Sequence, residues 1–399
     1  MSKKILFVDS GMHGGGSAES LYQHLKVLDR TRFEPSVLFV NHSRYFEKIS
    51  ALGIPCEICS DRLYNRRFNE EHPACVRWAW RFRAAISRYI PWATLIYEWL
   101  LHHLAIRQIT NWIGKQNIDL VHTNNQVDRD LYAIEAARRK GITCVAHLRS
   151  HNSHGLNHRK ADFINCHVDQ IIAYSKSVAH DWSDVGVDHQ KMTVIHNAIE
   201  PLSVQEMDLA ECFGISPHYQ TVGIVGRIIP ARGHFFLLEA FAGALESNPD
   251  TRLLIVGDGE PEYVQQLKRR VAELALLSQV VFTGYCQDSH GLIAALDALV
   301  LPYSIEPFGR TLLEAWQLRT PVVLTRVGRI RDIVQDRQTG VLVDNNDVVQ
   351  LSNALVEILT NQSLRNSLVE EGYQHCRENF SMEGYVEKIN HIYDSLLCR

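Results

Sequence analysis

Four charged side chains carry the first chemical signal in this sequence. Arg227 and Arg232 stand in Val225-Gly226-Arg227-Ile228-Ile229-Pro230-Ala231-Arg232-Gly233-His234, where an apolar run gives way to a helical pattern. Guanidinium groups are permanently charged and match phosphate oxygens two at a time. Glu306 and Glu314 belong to Glu306-Pro307-Phe308-Gly309-Arg310-Thr311-Leu312-Leu313-Glu314, the first before a turn and the second inside the helix that follows. Carboxylates accept from the paired hydroxyls of a sugar or a ribose. Backbone N–H groups of Phe308, Gly309 and Arg310 at that helix start suit an anion. Cations fixed beside a departing diphosphate would stabilise its developing charge without a metal. A third element, Gly14-Gly15-Gly16-Ser17, follows the first apolar run and could receive phosphate or sugar oxygens on its N–H groups. The dinucleotide fingerprint is missing: there is no GxGxxG, and the second strand ends Val40-Asn41 without an acid for a ribose.

These groups need a scaffold, and the alternation of short apolar runs with helical stretches supplies one. Ile5–Val8, Ser36–Val40, Leu120–His122, Thr143–Ala146 and Gln170–Ala173 read as strands, with helices between them such as Asp130–Lys140. The pattern restarts after Asn197: strands at Thr221–Gly226, Arg252–Val256, Val280–Phe282, Ala298–Leu301, Val322–Leu324 and Gly340–Val343, and helices at Gly233–Leu245 and Glu262–Leu274. Such alternation predicts an α/β protein with two Rossmann-like, doubly wound parallel sheets. The expected division is residues 1–199, with a helical insertion at about 62–115, then 200–380, then a terminal helix 381–399 packing back on the first domain. Ligands of such sheets lie beyond the carboxyl ends of the strands, so the expected site is the cleft where two facing domains meet.

Composition excludes several classes. A chain of 399 residues is too long for one core. With 46% hydrophobic and 22% charged residues it is globular, and a net charge of −4 gives no basic field for nucleic acid. Nine scattered cysteines, with Cys56–Cys59 as the one CxxC, read as reduced thiols of a cytoplasmic protein. The N-terminal Ile-Leu-Phe-Val run is short and reaches Asp9, so it reads as a strand and not a signal peptide. The apolar stretch Tyr89–Ile106 is interrupted by Pro91, Glu98, His102 and His103 and makes a poor membrane span.

Taken together, Gly15, Gly16 and Glu19, the Gly-Arg…Arg-Gly-His segment, the Glu-x7-Glu block and Val194-Ile195-His196-Asn197-Ala198-Ile199 resemble the retaining glycosyltransferases of family 4, which have the GT-B fold. The resemblance implies transfer of a sugar from a nucleotide-sugar donor to an acceptor hydroxyl, with no metal or other cofactor. It implies that Gly15, Gly16, Arg227 and Arg232 bind the donor, and that Glu314 holds its ribose. Glu306 would hold the hydroxyls of the transferred sugar, and Phe308, Gly309, Arg310 and Thr311 would contact sugar or phosphate. His147 matches the family's active-site histidine. The departing phosphate would serve as base for an acceptor attacking from the same face. The implied setting is bacterial surface polysaccharide or lipopolysaccharide synthesis. Three departures stand out: Arg232 for the usual lysine, Ala198 for a common glycine, and Gly328-Arg329-Ile330-Arg331-Asp332 for Gly-Gly-x-Pro-Glu.

Weaker signals remain. Glu19, Arg149 and Asn152 are candidates for the acceptor or the cleft. His147, His151, His154 and His158 recur, the last three spaced for one helix face, as polar lining rather than metal ligands. Arginines and aromatics interleave from Arg62 to Arg107, which suits either an anionic membrane surface or a self-packed helical hairpin. A saccharide or lipid-linked saccharide acceptor, reached from the inner face of the cytoplasmic membrane, follows from the first alternative. Two rival activities fit a similar frame: a sugar-nucleotide 2-epimerase, and a catalytically silent nucleotide-sugar-binding subunit.

Overall fold

The computed structural model describes residues 2–10, 16–40, 43–58, 91–151, 158–304, 310–328 and 330–398; for 91–102 and 104 it describes the backbone alone. The chain forms two compact units. The first comprises Met1–His196 and Met382–Arg399, the second Asn197–Ser381.

The first unit holds β1 (Lys3–Asp9), α1 (Gly16–Val27), β2 (Phe33–Phe39), α2 (Tyr45–Ser50), β3 (Cys56–Ile58), α3 (Pro91–Gln116), β4 (Leu120–Thr123), α4 (Leu131–Lys140), β5 (Thr143–Leu148), α5 (His158–His167), β6 (Gln170–Ala173), α6 (Lys176–Asp184) and β7 (Met192–Val194). Its seven strands are parallel in the order β3-β2-β1-β4-β5-β6-β7. From Ile5 to Asp9 every residue of β1 is buried, as a strand covered on both faces requires. The order reverses between β1 and β4, and a ligand crevice of such a sheet opens at that point. Pro91 does not interrupt the apolar stretch but begins α3, because the first helical position needs no N–H donor. Among the described residues no helix is long and apolar enough to cross a membrane.

The second unit follows with α7 (Leu209–Phe213), β8 (Gln220–Val225), α8 (His234–Ser247), β9 (Thr251–Val256), α9 (Pro261–Glu273), β10 (Val280–Gly284), α10 (Ser289–Ala294), β11 (Ala298–Leu301), α11 (Arg310–Gln317), β12 (Val322–Thr325), β13 (Val341–Val343), α12 (Val348–Thr360) and α13 (Gln362–Asn379). Six parallel strands run β10-β9-β8-β11-β12-β13, with the reversal between β8 and β11. The core is mostly aliphatic, with Leu237, Leu253, Val300, Val323 and Leu355 wholly buried.

The last helix, α14 (Met382–Leu397), belongs to the first unit. It buries Tyr385, Ile389 and Tyr393, and the Tyr393 ring meets Phe33 of β2 edge to face at 5.4 Å. Arg32 and Asp394 pair at the surface of the same seam. The change of unit falls at 196/197 and 381/382, not at 199/200 and 380/381. Ile199 donates its N–H to the Phe380 carbonyl at 3.0 Å and bridges Ser381, so the two connecting strings pair with each other inside the second unit.

Gly233 marks where packing constrains the backbone most. It sits at φ 69° between a turn of 3-10 helix (Pro230–Arg232) and α8, and a Cβ there would fall 1.9 Å from the Pro302 carbonyl oxygen. Both the left-handed backbone and the contact exclude a side chain. Gly233→Ala should therefore cost about 2 kcal/mol or more of unfolding free energy. The check is the midpoint of urea denaturation, and an unchanged midpoint would mean that the loop after β11 gives way.

Candidate functional site

In the second unit the site grows from the carboxyl ends of β8 and β11. The chain leaves β8 through Gly226 at φ 132°, where a Cβ would lie 2.0 Å from Arg232 Nη1. Lacking one, Gly226 lets the Arg232 guanidinium fold back across the strand end. Its Nη1 donates to the Val225 carbonyl at 2.8 Å and to the Tyr303 hydroxyl at 2.6 Å. The guanidinium carbon stands 4.9 Å from the centre of the Tyr303 ring, a cation–π distance. Ser304 N–H to the Ala231 carbonyl, at 3.0 Å, ties the loop after β11 to the same turn. Arg227 is exposed on the loop leaving β8.

α11 presents Leu312, Leu313, Ala315 and Trp316 to the core, with Trp316 Nε1 donating to the Thr339 carbonyl at 2.7 Å. Glu314 is on its other side, its side chain 13% exposed. One carboxylate oxygen, Oε1, lies 3.4 Å from Arg310 Nε and 3.6 Å from His290 Nε2 of α10. Burial pushes the Tyr303 phenol up; Arg232 opposes the shift and Glu314 adds to it. Arg232, Tyr303, Arg310 and Glu314 thus form one electrostatic neighbourhood at the strand reversal. Arg310 begins α11, and Thr311 follows it in the first turn. Glu306, Phe308 and Gly309 lie outside the described residues, as does Arg329. Sequence reasoning missed Tyr303 and His290; an aromatic directly after Leu301-Pro302 was the available signal for the first, and His290 had none.

In the first unit His147 lies inside β5, wholly buried. Its ring stacks on His122 of β4 at 5.7 Å and 13°. His122 Nδ1 bonds the Tyr393 hydroxyl at 2.6 Å, and His24 of α1 meets Tyr385 edge to face at 5.6 Å. Neither ring nitrogen of His147 has a hydrogen-bond partner among the described residues. Arg149, just past β5, donates to Asn124 Oδ1 at 3.1 Å and to the Tyr385 hydroxyl at 3.2 Å. Burial, reinforced by Arg149, lowers His24 to about 3 and holds His122 and His147 well below 6.5, so all three rings are neutral at pH 7. Asp130, before α4, moves the other way, pushed up to about 7 by burial and by Asp9.

The remaining expected residues are scattered. Gly16 opens α1, and Glu19 accepts from Gln23 Nε2 at 2.6 Å. Gly15, Asn152, His154 and the basic-aromatic residues from Arg62 to Arg88 lie outside the described residues. His151 precedes α5 and pairs with Asp181, so it does not share a helix face with His158, which begins α5. Among the described residues no group of three or more possible ligands could hold a metal ion. A cavity of about 490 Å³ opens among α3, α4 and α5, lined by Ile106, Asp128, Arg129, Tyr132, Arg159 and Phe163 among others.

Each unit is a parallel, doubly wound sheet, the second with cations and a carboxylate at its strand reversal, and the comparisons name the class. Residues 14–201 match the family model for Glycosyltransferase Family 4, and residues 211–375 match Glycosyl transferases group 1. The chain belongs to the family 4 type of glycosyltransferases and has the GT-B fold. The lipopolysaccharide core biosynthesis glycosyltransferase LpsE of Rhizobium meliloti is 30% identical over 55% of this chain and 62% of that protein. The UDP-Gal:alpha-D-GlcNAc-diphosphoundecaprenol alpha-1,3-galactosyltransferase of Escherichia coli is 25% identical over 70% and 76%. Among solved structures, Anabaena HepE in complex with UDP and glucose has a TM-score of 0.78 at 20% identity, covering 99% of this chain and 100% of that one.

The buried imidazoles set a pH dependence. Their folded pKa values lie below the unfolded 6.5, so their contribution is complete above pH 6.5 and is lost as pH falls below it. Asp130, with its pKa raised, contributes in the opposite sense and loses stability as pH rises toward 7. Each imidazole adds roughly 1.4 kcal/mol per pH unit to the acid slope. Unfolding free energy should fall steeply between about pH 6.5 and pH 5, and His24→Asn should remove one proton from that slope. An acid limb unaffected by the substitution would place the proton uptake elsewhere.

Proposed function

We propose that this glycosyltransferase moves a sugar from a nucleotide-sugar donor to an acceptor hydroxyl with retention at the anomeric carbon, in surface polysaccharide or lipopolysaccharide synthesis. The observation that carries the reading is Arg232, fixed over Gly226 at the strand reversal with Glu314 in the same electrostatic neighbourhood. A nucleoside diphosphate is the leaving group whose chemistry fits both. Arg232 and the exposed Arg227 take the phosphates, and Glu314 accepts from the ribose hydroxyls. Glu306, before α11, holds hydroxyls of the transferred sugar.

In the reaction the bond from the anomeric carbon to the phosphate oxygen breaks, and a bond to the acceptor oxygen forms on the same face. The acceptor's proton passes to the departing phosphate, so no separate carboxylate base is required. Charge grows on that phosphate as the bond breaks, and fixed guanidinium groups stabilise it more in the transition state than in the ground state. No metal is needed for that step. His147 supplies a neutral imidazole whose ring nitrogens can give and accept a hydrogen bond with the sugar. Leaving such nitrogens unmet in a buried place costs roughly 1–3 kcal/mol each, and a ligand hydroxyl offsets it.

The first unit takes the acceptor. Its cavity combines aromatic faces, Tyr132 and Phe163, with the Asp128 carboxylate and basic rim residues, a mixture suited to a saccharide carrying an anionic group. The names of LpsE and of the diphosphoundecaprenol galactosyltransferase support a saccharide or lipid-linked saccharide acceptor. The membrane is reached peripherally, from the cytoplasmic side.

Two experiments test the reading. A panel of nucleotide sugars screened by thermal shift should single out a donor, since ligand binding to the folded state raises the melting point. With that donor, Arg227→Ala and Glu306→Ala should each lower turnover roughly a hundredfold while the melting point without ligand stays put. Near-normal turnover in both sinks the assignment. In the same assay EDTA should leave the rate unchanged, and loss that added magnesium or manganese restores would make the enzyme metal-dependent.

A further inference from the structure

Among the described residues, His290 is the cation that pairs with Glu314 from another element. Arg310 and Glu314 are four residues apart on α11, so their ion pair moves with that helix and fixes nothing relative to the sheet. His290 comes from α10, whose start is anchored separately: the Asp288 carboxylate caps it by accepting from the Gly291 N–H at 2.9 Å. Its side chain is short, with two rotatable bonds against the four of arginine, so its ring is set by the backbone that carries it. Both cations converge on the same oxygen: His290 Nε2 stands 3.6 Å and Arg310 Nε 3.4 Å from Glu314 Oε1. A carboxylate held by one oxygen from two directions presents the other in a defined direction. Bidentate acceptance from the paired hydroxyls of a ribose depends on that orientation.

We propose that His290 is a positioning residue for Glu314, holding its carboxylate in place for the ribose of the donor, and that donor affinity is thereby tied to pH near neutrality. The proposal rests on the reading of Glu314 as the ribose-binding residue. The imidazole faces Glu314 and Arg310 on α11 and Asp288 at the start of its own helix. Glu314 raises its pKa above 6.5; burial and Arg310 work against that, and Asp288 adds to it. The ring is therefore cationic below this raised value, where its grip on Oε1 is strongest, and neutral above it. Donor binding weakens as pH rises through that range.

Calorimetric titration of UDP into the whole protein between about pH 6 and pH 8.5 provides the test, with His290→Ala, His290→Gln and Glu314→Gln beside the wild type. UDP's own phosphate titrates equally in every variant, so the comparison with wild type isolates the protein group. His290→Ala should weaken binding about three- to fivefold at the acid end, and the difference from wild type should vanish toward the alkaline end. His290→Gln keeps an N–H donor without a charge. It should recover part of the affinity while remaining without the wild-type pH dependence. Both variants should unfold at the wild-type temperature without ligand, because the imidazole is partly exposed. If Glu314→Gln binds UDP like wild type, the reading of Glu314 fails and this proposal with it. If Glu314→Gln binds weakly while His290→Ala keeps the wild-type affinity and pH profile, the proposal alone is overturned.

Discussion

Arg232 is a permanent cation laid against the carboxyl ends of the two central strands of the second unit, and the residues around it follow from that placement. A guanidinium cannot be neutralised, so its surroundings must solvate it. Here the Val225 carbonyl, the Tyr303 hydroxyl and the face of the Tyr303 ring do so. Gly226 must lack a side chain because the guanidinium occupies that space, and Gly233 must lack one because the loop after β11 presses against it. The loops after β8 and β11 are thereby locked into one arrangement before any ligand arrives. That preorganisation lets a fixed charge act on a leaving group without reorganising at the moment of reaction.

The first unit meets a different constraint. Three imidazoles from α1, β4 and β5 are buried together beneath α14. Neutral rings can share such a place, but charged ones could not, with Arg149 already present. The terminal helix closes over them with two tyrosines, one bonded to His122 and one to Arg149. A helix from the far end of the sequence therefore completes the polar part of the first unit. Its burial, its hydrogen bonds and the neutrality of the cluster depend on one another.

How much of this was legible in advance varies with the kind of signal. Strands buried on both faces are continuous apolar runs, so β1, β8, β9 and β11 stood out within a residue or two. β3 and β7, each three residues long with a polar residue at the centre, left no such mark. The helices α12 and α13 follow the last strand, where no further strand framed them. His147 was singled out, but the resemblance that identified it said nothing of the His24 and His122 rings beside it. Those rings come from positions more than twenty residues away along the chain.

The sequence by itself determined the alternation of strand and helix, the two-fold repetition of that pattern, and the residue types at the reversal of the second sheet. Those are local properties: periodicity, turn residues and the chemistry of a side chain are all written at their own positions. Only the tertiary structure decided that Arg232 would fold across Gly226 onto Tyr303, that His290 would share an oxygen of Glu314 with Arg310, and that α14 would cover the histidines. Each of these joins elements distant along the chain. Their geometry is set by how helices pack on a twisted sheet, and no stretch of residues carries that information alone.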